Sequence, residues 1–149
     1  MADYHLAQSN IARMRGQLED PVMEGFVARL ESLNALADES PGFVWRYQTD
    51  AGDATEVRVF DDPLILFNMS VWESVEALEA YVYRSDHLGA VQKRAEWFER
   101  AGQTPLVLWW IEAGHIPTVE EAKARFDVLW ENGPGPGAFT FRNRYPMPG

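Results

Sequence analysis

The chain has 149 residues, 46% hydrophobic, 13% aromatic and 24% charged, with a mean hydropathy of -0.30. That length fits one domain, because two halves would each struggle to bury a core, and the composition excludes a disordered chain. A formal net charge of -10 repels phosphate backbones and anionic lipid, and the absence of Cys excludes a disulfide framework, a thiolate nucleophile, an iron–sulfur cluster and a Cys-based zinc site.

The opening Met1-Ala-Asp-Tyr-His5 has no basic region followed by an apolar one, and no apolar run approaches the ~20 residues of a membrane span. The expectation is a cytoplasmic protein with neither nucleic acid nor membrane as partner. From Tyr4 to Met14 the side chains alternate as in a strand, with His5, Ala7, Ser9 and Ile11 on one face and Leu6, Gln8, Asn10 and Ala12 on the other. Asp20-Pro21 supplies an N-cap acceptor and a proline suited to the first helical position. The helix that follows carries an apolar stripe of Met23, Phe26, Val27, Leu30, Leu33 and Leu36, and Ser40-Pro41-Gly42 stops it.

Phe43 to Gln48 is β-branched and aromatic, and the turn residues from Asp50 to Asp53 precede a second extended stretch, Glu56 to Phe60, as a hairpin or a long loop. The run Leu64 to Trp72 is too apolar for an exposed strand, yet it carries Asn68 and Ser70, which need partners if buried. Ser74 caps a helix through Val75, Leu78, Tyr81 and Val82. Arg84-Ser85-Asp86 interrupts it before Leu88, Val91, Ala95 and Phe98 resume the stripe, which predicts a broken helix ended by Gly102. Pro105 to Glu112 reads as a strand with Trp109 and Trp110 on opposite faces. Thr118 and Glu121 form a capping box for a helix from Val119 to Trp130, closed by Gly133 and a flexible Pro134-Gly135-Pro136-Gly137 linker. The tail from Ala138 is short, basic and aromatic.

This order predicts an α+β, ferredoxin-like βαββαβ core over about residues 3–113, with an appended helix and tail over about 117–149, in one domain spanning 1–149. A single sheet of that kind leaves one face uncovered. Pairing with a second copy is the usual remedy, so a homodimer is expected.

The segments His5-Leu-Ala-Gln-Ser-Asn10-Ile-Ala-Arg13, Gly42-Phe-Val-Trp-Arg46, Asn68-Met-Ser-Val-Trp72-Glu-Ser and Leu108-Trp-Trp-Ile-Glu-Ala-Gly-His-Ile-Pro-Thr118 together resemble bacterial domain-of-unknown-function family 3291. The resemblance places the chain in the dimeric α/β-barrel superfamily, beside antibiotic-biosynthesis monooxygenases, haem-degrading monooxygenases and small polyketide cyclases. It spans nearly the whole sequence and brings no activity from the family itself. Against the haem-degrading branch, Asn10 matches the first-strand Asn, while Tyr81 and Gln92 stand near the places of its helix Trp and its ligand His. Against the olivetolic-acid-cyclase-like branch, His5, Tyr81 and His87 stand where a first-strand His and a Tyr and His flanking the helix break occur.

Read as chemistry, Gln8 and Asn10 on one strand and Asn68 and Ser70 on another show amides and a hydroxyl to one space. If Ser85 caps a second half-helix, His87 lies in its first turn, where the dipole disfavours imidazolium and leaves a neutral ring able to take a proton. Tyr81 is a candidate acid or orienting hydroxyl, weighed against simple packing in its apolar stripe. Arg46 offers a planar fork to a carboxylate, phenolate or enolate, weighed against a salt bridge to one of the 23 acidic residues. Trp72 and Trp110 are candidate walls for a flat ligand, weighed against a core role. His115 orders a loop. Three scattered His with no paired-carboxylate motif predict neither metal nor cofactor.

The function expected from these residues is cofactor-free chemistry of the monooxygenase or cyclase type on a small aromatic or polyketide-like molecule. His87, Tyr81 and Asn10 are its catalytic candidates, and Arg46, Asn68, Trp72 and Trp110 its substrate contacts. The alternatives are a non-catalytic ligand-binding or stress-response module and, third, a haem-binding or haem-degrading protein.

Overall fold

The alternation that begins at Tyr4 makes a strand with two different faces, and the molecule is built around it. In the computed structural model, which describes residues 3–17, 19–47, 64–87, 94–99 and 104–148, this strand is β1 (Tyr4–Arg13). It lies between β3 (Ile65–Trp72) and β4 (Leu106–Glu112), antiparallel to both, and β2 (Phe43–Arg46) pairs antiparallel with the far side of β3. The sheet order is therefore β2-β3-β1-β4. With neighbours on both edges, β1 holds Leu6, Ala7, Gln8 and Ser9 as one continuous buried run. Directly opposed residues share a face. The registers Leu6↔Trp72, Gln8↔Ser70, Asn10↔Asn68 and Ala12↔Leu66 thus define one face of the sheet, and the intervening pairs the other.

A short 3-10 turn, Pro21–Met23, leads into α1 (Glu24–Glu39). The Ser40 hydroxyl donates to the Leu36 carbonyl at 2.7 Å as that helix ends. Gly42 then reverses the chain at φ 83°, and a Cβ there would meet the Ala77 Cβ at 2.5 Å, so both conformation and space demand glycine. The helix α2 (Val75–His87) starts where the Ala77 N–H donates to the Ser74 hydroxyl at 3.1 Å. A single turn, α3 (Arg94–Trp97), precedes β4, and α4 (Val119–Asn132) follows it. The Thr118 hydroxyl caps α4 by accepting from the Glu121 N–H at 3.1 Å, and Gly133 ends it at φ 77°.

The two faces of the sheet are packed differently. On one, Ala7, Phe67, Met69, Val71, Val107, Trp109 and Ile111 meet Ala122, Phe126 and Leu129 of α4 in one uninterrupted apolar cluster. On the other, two clusters stand at opposite ends. Leu6, Trp72 and Leu108 pack with Ala37 of α1, Val75 and Leu78 of α2, and Phe139. Met14, Met23, Phe26, Trp97 and Phe98 gather at the far end, with Ala12, Leu30 and Leu66 against them.

Several expectations are corrected by this arrangement. The Asp20 carboxylate does not cap the following turn; it accepts from the Gln17 N–H at 2.9 Å. The helix interruption at Arg84-Ser85-Asp86 does not occur, because α2 runs unbroken through these residues to His87. The sheet face expected to be open carries α4, whose apolar stripe found an intramolecular partner. The Pro-Gly segment is an ordered turn rather than a flexible linker: Gly135 and Ala138 exchange backbone hydrogen bonds, and Arg125 donates to the Gly137 carbonyl at 2.8 Å. It delivers Phe139 to the free edge of β4, where Phe139 and Leu108 exchange two backbone hydrogen bonds of 2.8 Å each. The predicted extended stretch Glu56 to Phe60, and the positions Leu88, Val91, Gln92 and Gly102, lie outside the described residues.

Candidate functional site

Between the two apolar clusters of the α1/α2 face lies a polar band formed by Gln8, Asn10, Asn68 and Ser70, two successive opposed pairs of β1 and β3. Gln8 is its hub. Its amide Nε2 donates to Asn68 Oδ1 at 3.0 Å and to Ser70 Oγ at 2.7 Å, while its Oε1 accepts from Asn10 Nδ2 at 3.0 Å. Ser70 Oγ also accepts from Trp72 Nε1 at 2.8 Å. Gln8 and Ser70 are 3% and 6% exposed, Asn10 is half-buried, and Asn68 is open to solvent. The band thus runs from a sealed end beside Trp72 to an accessible end at Asn68. Strand alternation put all four groups on one face, and each buried member is hydrogen-bonded, as burial of polar groups requires.

Other candidates are held elsewhere or differently. Tyr81 stacks on Trp72, with ring centroids 5.1 Å apart and an angle of 28° between planes, and its hydroxyl donates to the Leu33 carbonyl of α1 at 3.1 Å. Trp72 is fully buried, so its ring is core rather than ligand wall. Trp110 Nε1 donates to the Tyr145 carbonyl at 2.9 Å and its ring lies against Phe139; the chain's own tail occupies the place assigned to a ligand. Arg46 lies opposite Ser70 on the same face, but its Nε donates to Asp38 Oδ1 at 2.9 Å, so the ion pair prevails over an open anion fork. His87 is the last residue of α2 rather than part of the first turn of a second helix. His5 lies on the α4 face of β1, opposite Ile111, and its buried Nδ1 has no hydrogen-bond partner. His5 and Tyr81 are therefore on different sides of the sheet. Of the sequence candidates, Asn10 and Asn68 are brought together.

The hub role of Gln8 and the junction at Ser70 exceeded what the alternation pattern assigned them. A second polar centre was not anticipated. Glu121 turns its carboxylate to Trp109 Nε1 at 2.9 Å and to His115 Nε2 at 2.8 Å. Burial works to raise this carboxyl, but the hydrogen bonds from His115 and Trp109 and the charges of His115 and Arg125 outweigh it, holding Glu121 below its ordinary value. The available signal was a Trp on a buried strand, whose N–H must find an acceptor. His115 orders the loop before α4 through this contact, as expected.

A shallow depression of about 490 Å³ lies elsewhere, lined by Thr104, Asp127, Leu129, Trp130 and Glu131. It is open and acidic, and the N–H of its one aromatic lining residue donates to the Thr104 carbonyl at 2.9 Å. The polar band is the better candidate, because buried hydrogen-bonding groups there interrupt an otherwise apolar face. Among the described residues no three His, Asp or Glu side chains come together as metal ligands, and no helix is long and apolar enough to cross a membrane.

No curated protein matches the chain. A solved structure similar in part is that of NE2512, a protein of unknown function from Nitrosomonas europaea. It is 14% identical over 79% of this chain and 99% of that one, with a TM-score of 0.46. A family model described as Domain of unknown function (DUF3291) matches residues 5–149, and the chain belongs to that family.

Proposed function

We propose that the protein is a small-molecule binding module of the ferredoxin-like, dimeric α/β-barrel type, whose ligand site is the polar band. The fold part of this reading is supported by the chain order β1-α1-β2-β3-α2-β4 with a β2-β3-β1-β4 antiparallel sheet. The observation that carries the function is the band itself: four hydrogen-bonding side chains between two apolar clusters, sealed at one end and solvent-exposed at the other. A face built only for stability would continue the apolar packing there. Binding is the reading favoured here because the Tyr81 hydroxyl, the proposed acid, donates to the Leu33 backbone carbonyl rather than toward the amides.

The homodimer belongs to the same proposal. The helix α4 packs principally on β4, and Trp45, Tyr47 and Ile11 are half-buried on the β1–β3 side of that face, where a second copy would complete the cover. Native mass spectrometry of the protein purified from its own host tests both parts. The expected species is twice the 17.0 kDa chain carrying a small extra mass, and that extra mass disappears in Gln8→Leu. An adduct retained by Gln8→Leu overturns the site, and conversion of the recovered ligand to a product returns the protein to the enzyme reading.

A further inference from the structure

We infer that the polar band selects uncharged ligands presenting one hydrogen-bond donor and one acceptor side by side, as a cis-amide, lactam or 2-pyridone ring does; this rests on the binding reading above. Each outer amide turns one heteroatom to Gln8 and presents the other. With Gln8 Nε2 toward Asn68 and Ser70, Asn68 presents its nitrogen and Asn10 its oxygen. An amide is nearly isosteric about a half-turn, so Gln8, Asn10 and Asn68 can reverse together with every contact distance preserved. Asn68 then presents its oxygen and Asn10 its nitrogen.

The two settings share one property: the presented pair is always one nitrogen and one oxygen, never two of a kind. Gln8 enforces this, because its own nitrogen and oxygen face the two asparagines separately. Trp72 Nε1 can only donate, so Ser70 Oγ must accept from it. In the setting the structure holds, Ser70 Oγ accepts from both Trp72 Nε1 and Gln8 Nε2. In the reversed setting the hydroxyl donates to Gln8 and the whole band is satisfied. A ligand of either polarity is accommodated by one concerted reversal, but a carboxylate, with two acceptors, always meets one carbonyl oxygen.

The surroundings agree with an uncharged ligand. Arg46, the cation opposite Ser70, is paired with Asp38. Ala12 and Leu66, the next opposed pair toward the open end, and Leu30 of α1 give an apolar border for the ligand body.

The test is a titration of the full chain, followed by NMR of the Asn10 and Asn68 side-chain amides, with three probes to about 10 mM, a range that reads Kd values of fragments this small. The probes are 2-pyridone, N-methyl-2-pyridone and benzoate. Saturable shifts with 2-pyridone are expected, with binding of N-methyl-2-pyridone weaker by about tenfold or more and no saturation by benzoate. Asn68→Asp, at an exposed position and with acceptors only, is expected to weaken 2-pyridone by about tenfold as well. Equal binding of 2-pyridone and its N-methyl derivative overturns the selectivity while leaving the site as a binding site. Absence of saturable shifts with all three probes also overturns the selectivity. The binding reading itself stands or falls separately, on the adduct mass in Gln8→Leu.

Discussion

The two faces of the sheet use the same strands to opposite ends. Under α4, Ala7 of β1 and alternate residues of β3 and β4 feed one apolar cluster; of the polar residues on that face of β1, Ser9 donates to the Asn68 backbone carbonyl at 2.8 Å and His5 keeps a buried Nδ1 without a hydrogen-bond partner. Under α1 and α2, the same three strands supply two clusters parted by amides. The α4 face is organised for burial, and the other gives up part of its packing to hold polar groups in fixed positions. A hydrogen-bonded polar network contributes less net stability than apolar side chains of equal volume, but it orients donors and acceptors. The difference teaches where to look for stability and where to look for recognition.

Mutations can break that comparison or sharpen it. Phe126→Ala, at a fully buried position of the α4 cluster, is expected to cost about 3–5 kcal/mol in urea unfolding, the usual range for emptying an aromatic site in a core. A cost below about 1 kcal/mol would mean that α4 is not part of the core, and the comparison would collapse. Gln8→Leu is expected to cost less, about 1–2 kcal/mol, since Ser70 keeps its bond from Trp72 and the two asparagines can reach water. A cost equal to that of Phe126→Ala would make the band a structural keystone rather than a recognition device.

Glu121→Gln probes a charged group on the α4 face, with an expected cost of about 0.5–1 kcal/mol at neutral pH. Its pH dependence has a definite sign. A carboxyl held low in the folded state adds stability that is complete above its unfolded value and is lost as the pH falls through the folded one. The gap between wild type and Glu121→Gln should therefore be full at neutral pH and close on acidification below the ordinary carboxylate range, followed by Trp fluorescence during unfolding. The smallest effect is expected from Asn68→Ala: an exposed side chain whose loss changes stability by no more than about 0.5 kcal/mol and yet removes one presented amide. Unchanged ligand retention in that variant would show that the open end of the band takes no part in recognition.

The sequence made the strands and their faces readable, because period-two alternation is local information. Spacing alone places Leu6, Gln8, Asn10 and Ala12 on one face, and Trp109 and Trp110 on opposite faces. What was not readable depends on distant partners. Ser85 resembles a cap, but α2 continues through it, since helix packing and propagation outweigh one local alternative. Arg46 found Asp38 across an intervening helix end, and Trp110 found Tyr145 from the tail. The destination of α4 was hidden for the same reason: an amphipathic stripe announces that it will be buried without saying against what. The sequence pattern predicts a capping box at Glu121, but its carboxylate serves Trp109 and His115 instead of completing the reciprocal cap.

The bridge from Phe139 to Leu108 gives β4 an outer neighbour at one residue, and it sets an order of events during synthesis. On the ribosome β4 emerges before its outer partner, which arrives only after α4 and the Gly133–Gly137 turn have been made. Until then β4 presents a row of unpaired peptide groups beside Trp110, a template for strand addition by another nascent chain. The tail thus acts as a late-arriving guard. Expression of chains stopped before Ala138 should shift protein from the soluble to the aggregated fraction, and the shift should grow with synthesis rate, because the unguarded edge is a hazard of concentration and time rather than of the finished fold.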